Sequence, residues 1–168
     1  MMEKSAIFYG SNGGATETVA KKIAKRITNG IEVLDVADVA AVDVTKYTNI
    51  IFGTSTWGVG DLQDDWEGFL PDLAKIDLSD KTIAIFGLGD SDSYPDSFVD
   101  GMGTIYEGIK DRGGRIVGQV EPDGYKFDDS KAVYNGKFVG LPLDEDNESD
   151  QTDKRIEAWL QLILPEFK

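Results

Sequence analysis

Apolar runs and helical periodicities alternate along almost the whole chain. Short apolar runs predict strands at Ser5–Tyr9, Ile31–Val36, Asn49–Gly53, Thr82–Gly87 and Arg115–Val120. Apolar residues at helix spacing predict helices at Ala15–Thr28, from Asp64 or Asp65 to Leu73, at Ser97–Arg112 and at Thr152–Leu164. The residue that caps the second helix is expected to be Asp64 or Asp65, because a short carboxylate can accept first-turn N–H bonds.

The order of these elements predicts the fold class. Strands that alternate with helices favour an α/β fold, a three-layer doubly wound sandwich with a five-stranded parallel sheet in order 2-1-3-4-5. The stretch 121–137 breaks the rhythm, and an apolar run resumes at Phe138–Leu141. Val39, Val42 and Val44 are expected to be buried between the second and third strands. All of residues 1–168 are expected to form one domain.

Composition narrows the classes of function. A net charge of −14 argues against nucleic acid and anionic membranes and favours a partner with a basic surface. The chain has no Cys and no His, which removes the commonest nucleophile–base pairs and most transition-metal sites. The first apolar run is too short for a signal peptide, and no stretch approaches a membrane span. We therefore expect a cytoplasmic protein.

Three loops follow strands that should end at one edge of the sheet, where ligands bind in such folds. They are Gly10–Thr16, Thr54–Asp61 and Gly89–Asp96. The first passes from a strand through small polar residues into a helix N-terminus, where free N–H groups can hold a phosphate. Ordinary turn chemistry is the alternative interpretation of this loop, which matches neither the P-loop nor the G-x-G-x-x-G pattern.

The second and third loops each carry one aromatic side chain, Trp57 and Tyr94. Two aromatic side chains beside a phosphate loop can enclose a flat ring system. A phosphate at one end and a flat ring at the other describe a mononucleotide. The alternative is that Trp57 and Tyr94 simply cover the core.

The motifs in these loops and in the last third of the chain resemble the long-chain flavodoxins, over essentially the whole sequence. The matching residues are Tyr9–Ser11 with Gly14, Thr16 and Glu17; Thr56–Trp57 with Gly60–Glu67; Gly87–Asp90 with Tyr94; Asp123–Tyr125; Asn135–Leu141; and Asp144–Asp146. The resemblance implies a flavodoxin-like sheet whose fifth strand is split by an insertion of roughly twenty residues.

The resemblance implies non-covalently bound FMN. Its phosphate would lie on Ser11, Asn12, Gly13, Gly14, Ala15 and Thr16. Thr56 is part of the matching motif that contains Trp57. Trp57 would stack on the inner face of the ring, and Tyr94 would stack on the outer face. The backbones of Gly58–Val59 and Gly89–Asp90 would bond the ring edge, and Asp146 would reach the ribityl chain. The family usually has Thr at position 13 and Asn at position 15, so Gly13 and Ala15 remove two side-chain contributions.

The implied function is that of a low-potential one-electron carrier that uses the semiquinone/hydroquinone couple and is not an enzyme. Its partners would be basic-surfaced redox enzymes, with a flavodoxin reductase or a 2-oxoacid oxidoreductase as donor, and the protein would be a monomer. Gly58 would allow the Gly58–Val59 peptide to flip, so that the Gly58 carbonyl accepts a hydrogen bond from the reduced ring. Acidic residues crowd the ligand-side loops and the 144–150 loop and would lower the second potential.

Two other functions on the same fold remain for comparison. A flavin enzyme such as a quinone reductase needs an open outer ring face, which Tyr94 would cover. A phospho-acceptor receiver domain needs acidic residues after the first strand and an Asp after the third. The chain has Gly10–Asn12 and Gly53–Ser55 at those places, which excludes a receiver domain.

Overall fold

A computed structural model describes residues 2–168. Its strands are β1 (Ser5–Tyr9), β2 (Glu32–Asp35), β3 (Asn49–Trp57), β4 (Asp61–Leu62), β5 (Thr82–Leu88), β6 (Arg115–Ile116), β7 (Val133–Tyr134), β8 (Lys137–Phe138) and β9 (Leu141–Leu143). Its α-helices are α1 (Ala15–Lys25), α2 (Asp64–Leu73), α3 (Asp100–Ile109) and α4 (Thr152–Ile163), and 3-10 turns occur at Ala41–Lys46, Ser149–Gln151 and Leu164–Glu166. Within residues 2–168, no helix is both long and apolar enough to cross a membrane.

The main sheet has the predicted strand order. It runs β2-β1-β3-β5-β6 with parallel pairing, and β9 also pairs in parallel with β5. Because β6 pairs with the start of β5 and β9 with its end, the fifth strand of the sheet is split. This confirms the doubly wound 2-1-3-4-5 sheet with an interrupted last strand.

Two apolar layers lie on opposite faces of the sheet. Phe8, Phe52 and Trp66 belong to the layer covered by α2 and α3. Ile7 and Trp159 belong to the layer covered by α1 and α4. Side chains alternate between the two layers along β1, because successive residues of a strand point to opposite faces. Helices on both faces leave the carboxyl edge of the strands to the connecting loops.

Several predicted boundaries differ from the structure. β3 continues through Trp57 instead of ending at Gly53, because Thr54 and Ser55 still pair with β5 and the last two residues pair antiparallel with β4. Helix α1 ends at Lys25, short of Thr28, and α3 begins at Asp100 instead of Ser97.

The predicted cap of α2 was wrong. The cap is Gln63, whose Oε1 accepts from Trp66 N at 3.2 Å. The prediction for Val42 was also wrong. This side chain is 62% exposed in the 3-10 turn, whereas Val44 is fully buried and Val39 is partly buried.

The insertion between β6 and β9 packs on the edge of the sheet. The predicted fifth strand shortens to Arg115–Ile116, and Val120 instead pairs with Phe138. The apolar run predicted at Phe138–Leu141 divides between β8 and β9. β7 and β8 form a small antiparallel sheet, and aromatic residues of the insertion pack around Phe98 and Phe138.

Candidate functional site

A cleft of about 350 Å³ lies at the carboxyl edge of the sheet, beside the switch point between β1 and β3. It is lined by Ala15, Ser55, Thr56, Trp57, Gly58, Leu88, Gly89, Asp90, Tyr94, Glu145 and Asp146. All three predicted loops therefore meet there, as the strand order requires. A concavity of about 450 Å³ beside Thr104 and Tyr134 is larger, but the three loops do not reach it.

The first loop is shaped by its own backbone and by the start of α1. Gly14 has a left-handed φ of 92° and precedes the helix, and its N–H donates to Ser11 Oγ at 3.0 Å. Helix α1 then begins at Ala15, so its first-turn N–H groups face the loop without intrahelical partners. Because residues 10–16 contain no Lys or Arg, an anion here would meet only neutral donors and the helix dipole.

Asn12 links the first loop to the neighbouring helix. Its Oδ1 accepts from Gln63 Nε2 at 2.7 Å, and the same nitrogen donates to Asp65 Oδ2 at 2.8 Å. Gln63 is fully buried and also caps α2. The side chain of Asn12 is therefore held in place by α2.

The second loop is a hairpin turn between β3 and β4. Trp57 pairs with Asp61, so Gly58, Val59 and Gly60 form the three-residue connection. Gly58 has a φ of 50° and Gly60 a φ of 92°, conformations that suit glycine in such turns. Trp57 is 44% exposed, and its Nε1 donates to Ser55 Oγ at 2.8 Å. The indole therefore has its polar group paired and leaves an apolar face available.

Asp90 accepts two backbone hydrogen bonds that fix the shape of the third loop. Tyr94 N donates to the carbonyl of Asp90 at 2.9 Å, and Ser93 N donates to Asp90 Oδ1 at 3.0 Å. The N–H of Ser93 is the main reason that the pKa of Asp90 lies below its usual value. Tyr94 is 42% exposed and, like Trp57, lines the cleft.

The loop after β9 contributes carboxylates to the same region. Asp144 is fully buried and accepts from Ser91 N and Asn147 N, both at 3.0 Å. Asn147 Nδ2 also donates to Asp90 Oδ1 at 2.8 Å, which joins the third loop to this one. Asp146 is exposed; partial desolvation of its carboxyl raises its pKa, and the charges of Asp90, Asp144 and Glu145 raise it further.

The predicted site residues fall into two groups by position. Those that line the cleft are Ala15, Thr56, Trp57, Gly58, Gly89, Asp90, Tyr94 and Asp146. Ser11, Asn12, Gly13 and Gly14 lie in the loop beside it, and Thr16 is buried in the first turn of α1. Val59 is 82% exposed at the tip of its turn.

Sequence reasoning missed Ser55, Leu88, Glu145 and the buried Asp144. The apolar end of the fourth strand was a signal for Leu88. The acidic run 144–150 contains no signal that tells which of its carboxylates is buried.

Comparisons with known proteins agree with this geometry. The family model described as Flavodoxin matches residues 7–159. The chain belongs to the flavodoxin family. Its 168 residues and split fifth strand place it with the long-chain flavodoxins. It is 46% identical to a Nostoc flavodoxin over 168 residues, covering 99% of each chain. It is 46% identical to the Helicobacter pylori flavodoxin over 166 residues, again covering 99% of each.

A solved flavodoxin structure shares the whole fold. The crystal structure of Fusobacterium nucleatum flavodoxin bound to flavin mononucleotide superposes with a TM-score of 0.95 at 31% identity. The match covers 99% of this chain and 100% of that one. An oxidised Bacillus cereus flavodoxin, at 28% identity, gives a TM-score of 0.69 over 94% of this chain and 95% of that one.

Proposed function

We propose that this chain binds FMN non-covalently and carries single electrons at low potential between redox enzymes. The observation that carries the proposal is the cleft itself, in which two half-exposed aromatic side chains, Trp57 and Tyr94, stand beside the N-terminus of α1. Family membership supports it, as does the FMN-bound flavodoxin with the same fold. As in the rest of the family, the role is electron transfer and not catalysis.

The phosphate of FMN would be held by residues 11–16. The donor set fits a phosphate, since the loop offers backbone N–H groups, the hydroxyls of Ser11 and Thr16, and the positive end of the helix dipole. The loop is also open at its centre, because a Cβ added to Gly13 would meet nothing within 4 Å. Asn12, held by Gln63, would keep the loop in position.

The ring would lie in the cleft with Trp57 and Tyr94 as its stacking partners. FMN, when bound, supplies the redox chemistry by taking up and releasing one electron at a time. The chain would contribute Thr56 and the backbones of Gly58–Val59 and Gly89–Asp90 at the ring edge, and Asp146 toward the ribityl chain. Tyr94 would exclude substrates and water from one face, which favours a carrier over a flavin enzyme such as a quinone reductase.

Negative charge around the cleft would lower the potential of the second electron. Each unit charge about 10 Å away in water opposes added negative charge by roughly 0.4 kcal/mol before screening. Asp90, Glu145 and Asp146 line the cleft itself, and Asp61, Asp64 and Glu67 are exposed on the neighbouring hairpin and helix. Asp144 and Asp100 are buried, so negative charge on them would be screened less by solvent than charge on the surface.

The same acidic surface would guide a basic redox partner to the exposed ring edge. A flavodoxin reductase or a 2-oxoacid oxidoreductase would be the electron donor. The protein would act in the cytoplasm, where disulfides are rare, which is consistent with a chain that has no cysteine. We also propose that residues 1–168 act as one monomeric domain.

The proposal is tested by titrating the purified apoprotein with FMN and following flavin fluorescence, then reducing the complex stepwise with dithionite. One FMN per chain and two separate one-electron steps are expected. Absence of FMN binding would overturn the assignment of the cofactor. Reduction in a single two-electron step would instead favour a flavin enzyme of the quinone-reductase kind.

A further inference from the structure

A buried five-residue segment, Ser97–Gly101, packs against the second and third of the three loops that border the cleft. Gly101 N donates to Thr56 Oγ1 at 3.0 Å, and a Cβ added to Gly101 would lie 2.9 Å from the carbonyl oxygen of Ser55. A Cβ added to Gly89 would lie 2.9 Å from Val99 N. We call Ser97–Gly101 the joint segment, because it contacts the second loop on one side and the third loop on the other.

Asp100 is the one carboxylate of the joint segment, and it is only 3% exposed. Its Oδ1 accepts from Lys131 N, in the insertion, at 2.8 Å. Its Oδ2 lies against Gly60, where an added Cβ would be 2.6 Å away. Among residues 2–168, no Lys or Arg forms an ion pair with Asp100. Burial raises the pKa of Asp100, against the opposing effect of the Lys131 N–H, so this carboxylate is costly to bury.

The insertion holds the joint segment through further hydrogen bonds. Phe98 N donates to the carbonyl of Asp129 at 3.3 Å, and Ser130 Oγ donates to the carbonyl of Phe98 at 2.5 Å. Val99 lies between Phe98 and Asp100, both of which the insertion bonds, and has a φ of 50°, which is unfavourable for a β-branched residue. Such a conformation persists only where the surroundings determine it, so the joint segment is held by its neighbours.

We propose that Asp100 is a positioning residue for the flavin site, through which the insertion fixes the Gly58–Gly60 turn. The carboxylate has one oxygen on the insertion and the other against the turn, so a displacement of either segment is transmitted to the other. An apolar side chain of similar size would fill the space but would leave Lys131 N without its acceptor. This inference rests on the proposed function, because it assigns the turn to the ring edge of FMN.

Asp100→Ala and Asp100→Asn test the proposal, with Asp111→Ala as the control. Asp111 is exposed near the other end of α3, so its replacement makes the same change in net charge. Hydrogen exchange of the Trp57–Leu62 amides is measured in each apoprotein. The FMN dissociation constant and both one-electron potentials are measured in each complex.

Asp100→Ala should speed exchange in the turn at least tenfold, raise the FMN dissociation constant at least tenfold and change the spacing of the two potentials. Asp100→Asn keeps the shape and one acceptor oxygen, so it should stay within about threefold of wild type in both respects. Asp111→Ala should match wild type. Unchanged exchange and potentials in Asp100→Ala would overturn the proposal, and so would an Asn variant as impaired as the Ala variant.

Ser130→Ala keeps the proposal testable if Asp100→Ala does not fold. This substitution removes the hydrogen bond to the Phe98 carbonyl and the one that Ser130 Oγ accepts from Ala132 N. It changes no residue of the second or third loop. It should speed exchange in the Trp57–Leu62 turn about threefold, and wild-type exchange there would overturn the proposal. Because exchange is measured without FMN, a wild-type protein that bound no FMN would refute the proposed function alone.

Discussion

Replacing Gly13 by Thr should tighten FMN binding. Gly13 is exposed in the proposed phosphate loop, its φ is not positive, and an added Cβ would have open space for at least 4 Å. A Cβ at this position therefore meets no clash, and the backbone has no positive φ that would strain an L-residue. Its hydroxyl would add one donor to a loop whose only other side-chain hydroxyls are those of Ser11 and Thr16.

The size of the effect follows from the loop's exposure. A net hydrogen bond contributes about 0.5–1.5 kcal/mol, and bonds to charged groups lie at or above the top of that range. Taking about 1–1.4 kcal/mol for an exposed loop, the dissociation constant should fall about five- to tenfold. Gly13→Ala isolates the backbone effect, because it adds the Cβ without the hydroxyl. It should stabilise the apoprotein by about 0.4–1 kcal/mol, because alanine lowers the conformational entropy of the unfolded chain.

Fluorescence titration of FMN with each apoprotein measures this difference, and urea unfolding measures stability. Gly68→Thr on α2 is the matched control, since Gly68 is also exposed with nothing within 4 Å of an added Cβ. The reasoning would be refuted if Gly13→Thr bound FMN no more tightly than wild type. Equal tightening by Gly13→Ala would show that backbone stiffening, and not the hydroxyl, is responsible.

Three further changes have defined outcomes. Trp57→Leu should weaken FMN binding about tenfold in the same titration, through lost stacking and burial, while Val42→Ala, exposed and remote from the cleft, should leave it unchanged. Asp146→Asn should slightly stabilise the apoprotein in urea unfolding at pH 7, because partial desolvation and neighbouring charges raise the folded pKa of this exposed carboxyl and its ionisation above that pKa destabilises the fold. That gain should vanish as the pH falls toward the usual aspartate range; a gain that persists there would contradict the electrostatic cause. Association with a basic redox partner, followed by stopped flow, should slow at least about tenfold between about 0.05 M and 0.5 M salt, and an unchanged rate would rule out electrostatic guidance.

The strand order and the position of the site were predictable from sequence because both depend on local patterns. Uninterrupted apolar runs such as Thr82–Gly87 belong to strands covered on both faces, and parallel connections bring the following loops to one edge. The end of β3 was not predictable in this way. Thr54–Trp57 is polar and resembles a loop, and it becomes strand because Thr54 and Ser55 pair with β5 and the last two residues pair with β4 after the turn.

Buried polar side chains are where the sequence was least informative. Gln63 caps α2 in place of the neighbouring aspartates because its amide also reaches Asn12, 51 positions earlier. Asp100 falls inside the predicted Ser97–Arg112 helix, yet its acceptor role depends on Lys131, 31 positions later. No local pattern indicates such partners, since they are set by how distant segments pack.

The two ends of the proposed site differ in what holds them. The phosphate loop is held by contacts among Ser11, Gly14 and the start of α1, with one long-range bond from Gln63 to Asn12. Substitutions at Gly13, which takes part in none of these bonds, should therefore change affinity and little else. The ring end depends on the joint segment, the hairpin turn and the insertion together. Its geometry should therefore respond to changes as far away as Ser130. Affinity and potential are thus expected to be separable, with Gly13→Thr acting on affinity alone and Asp100→Ala acting on both.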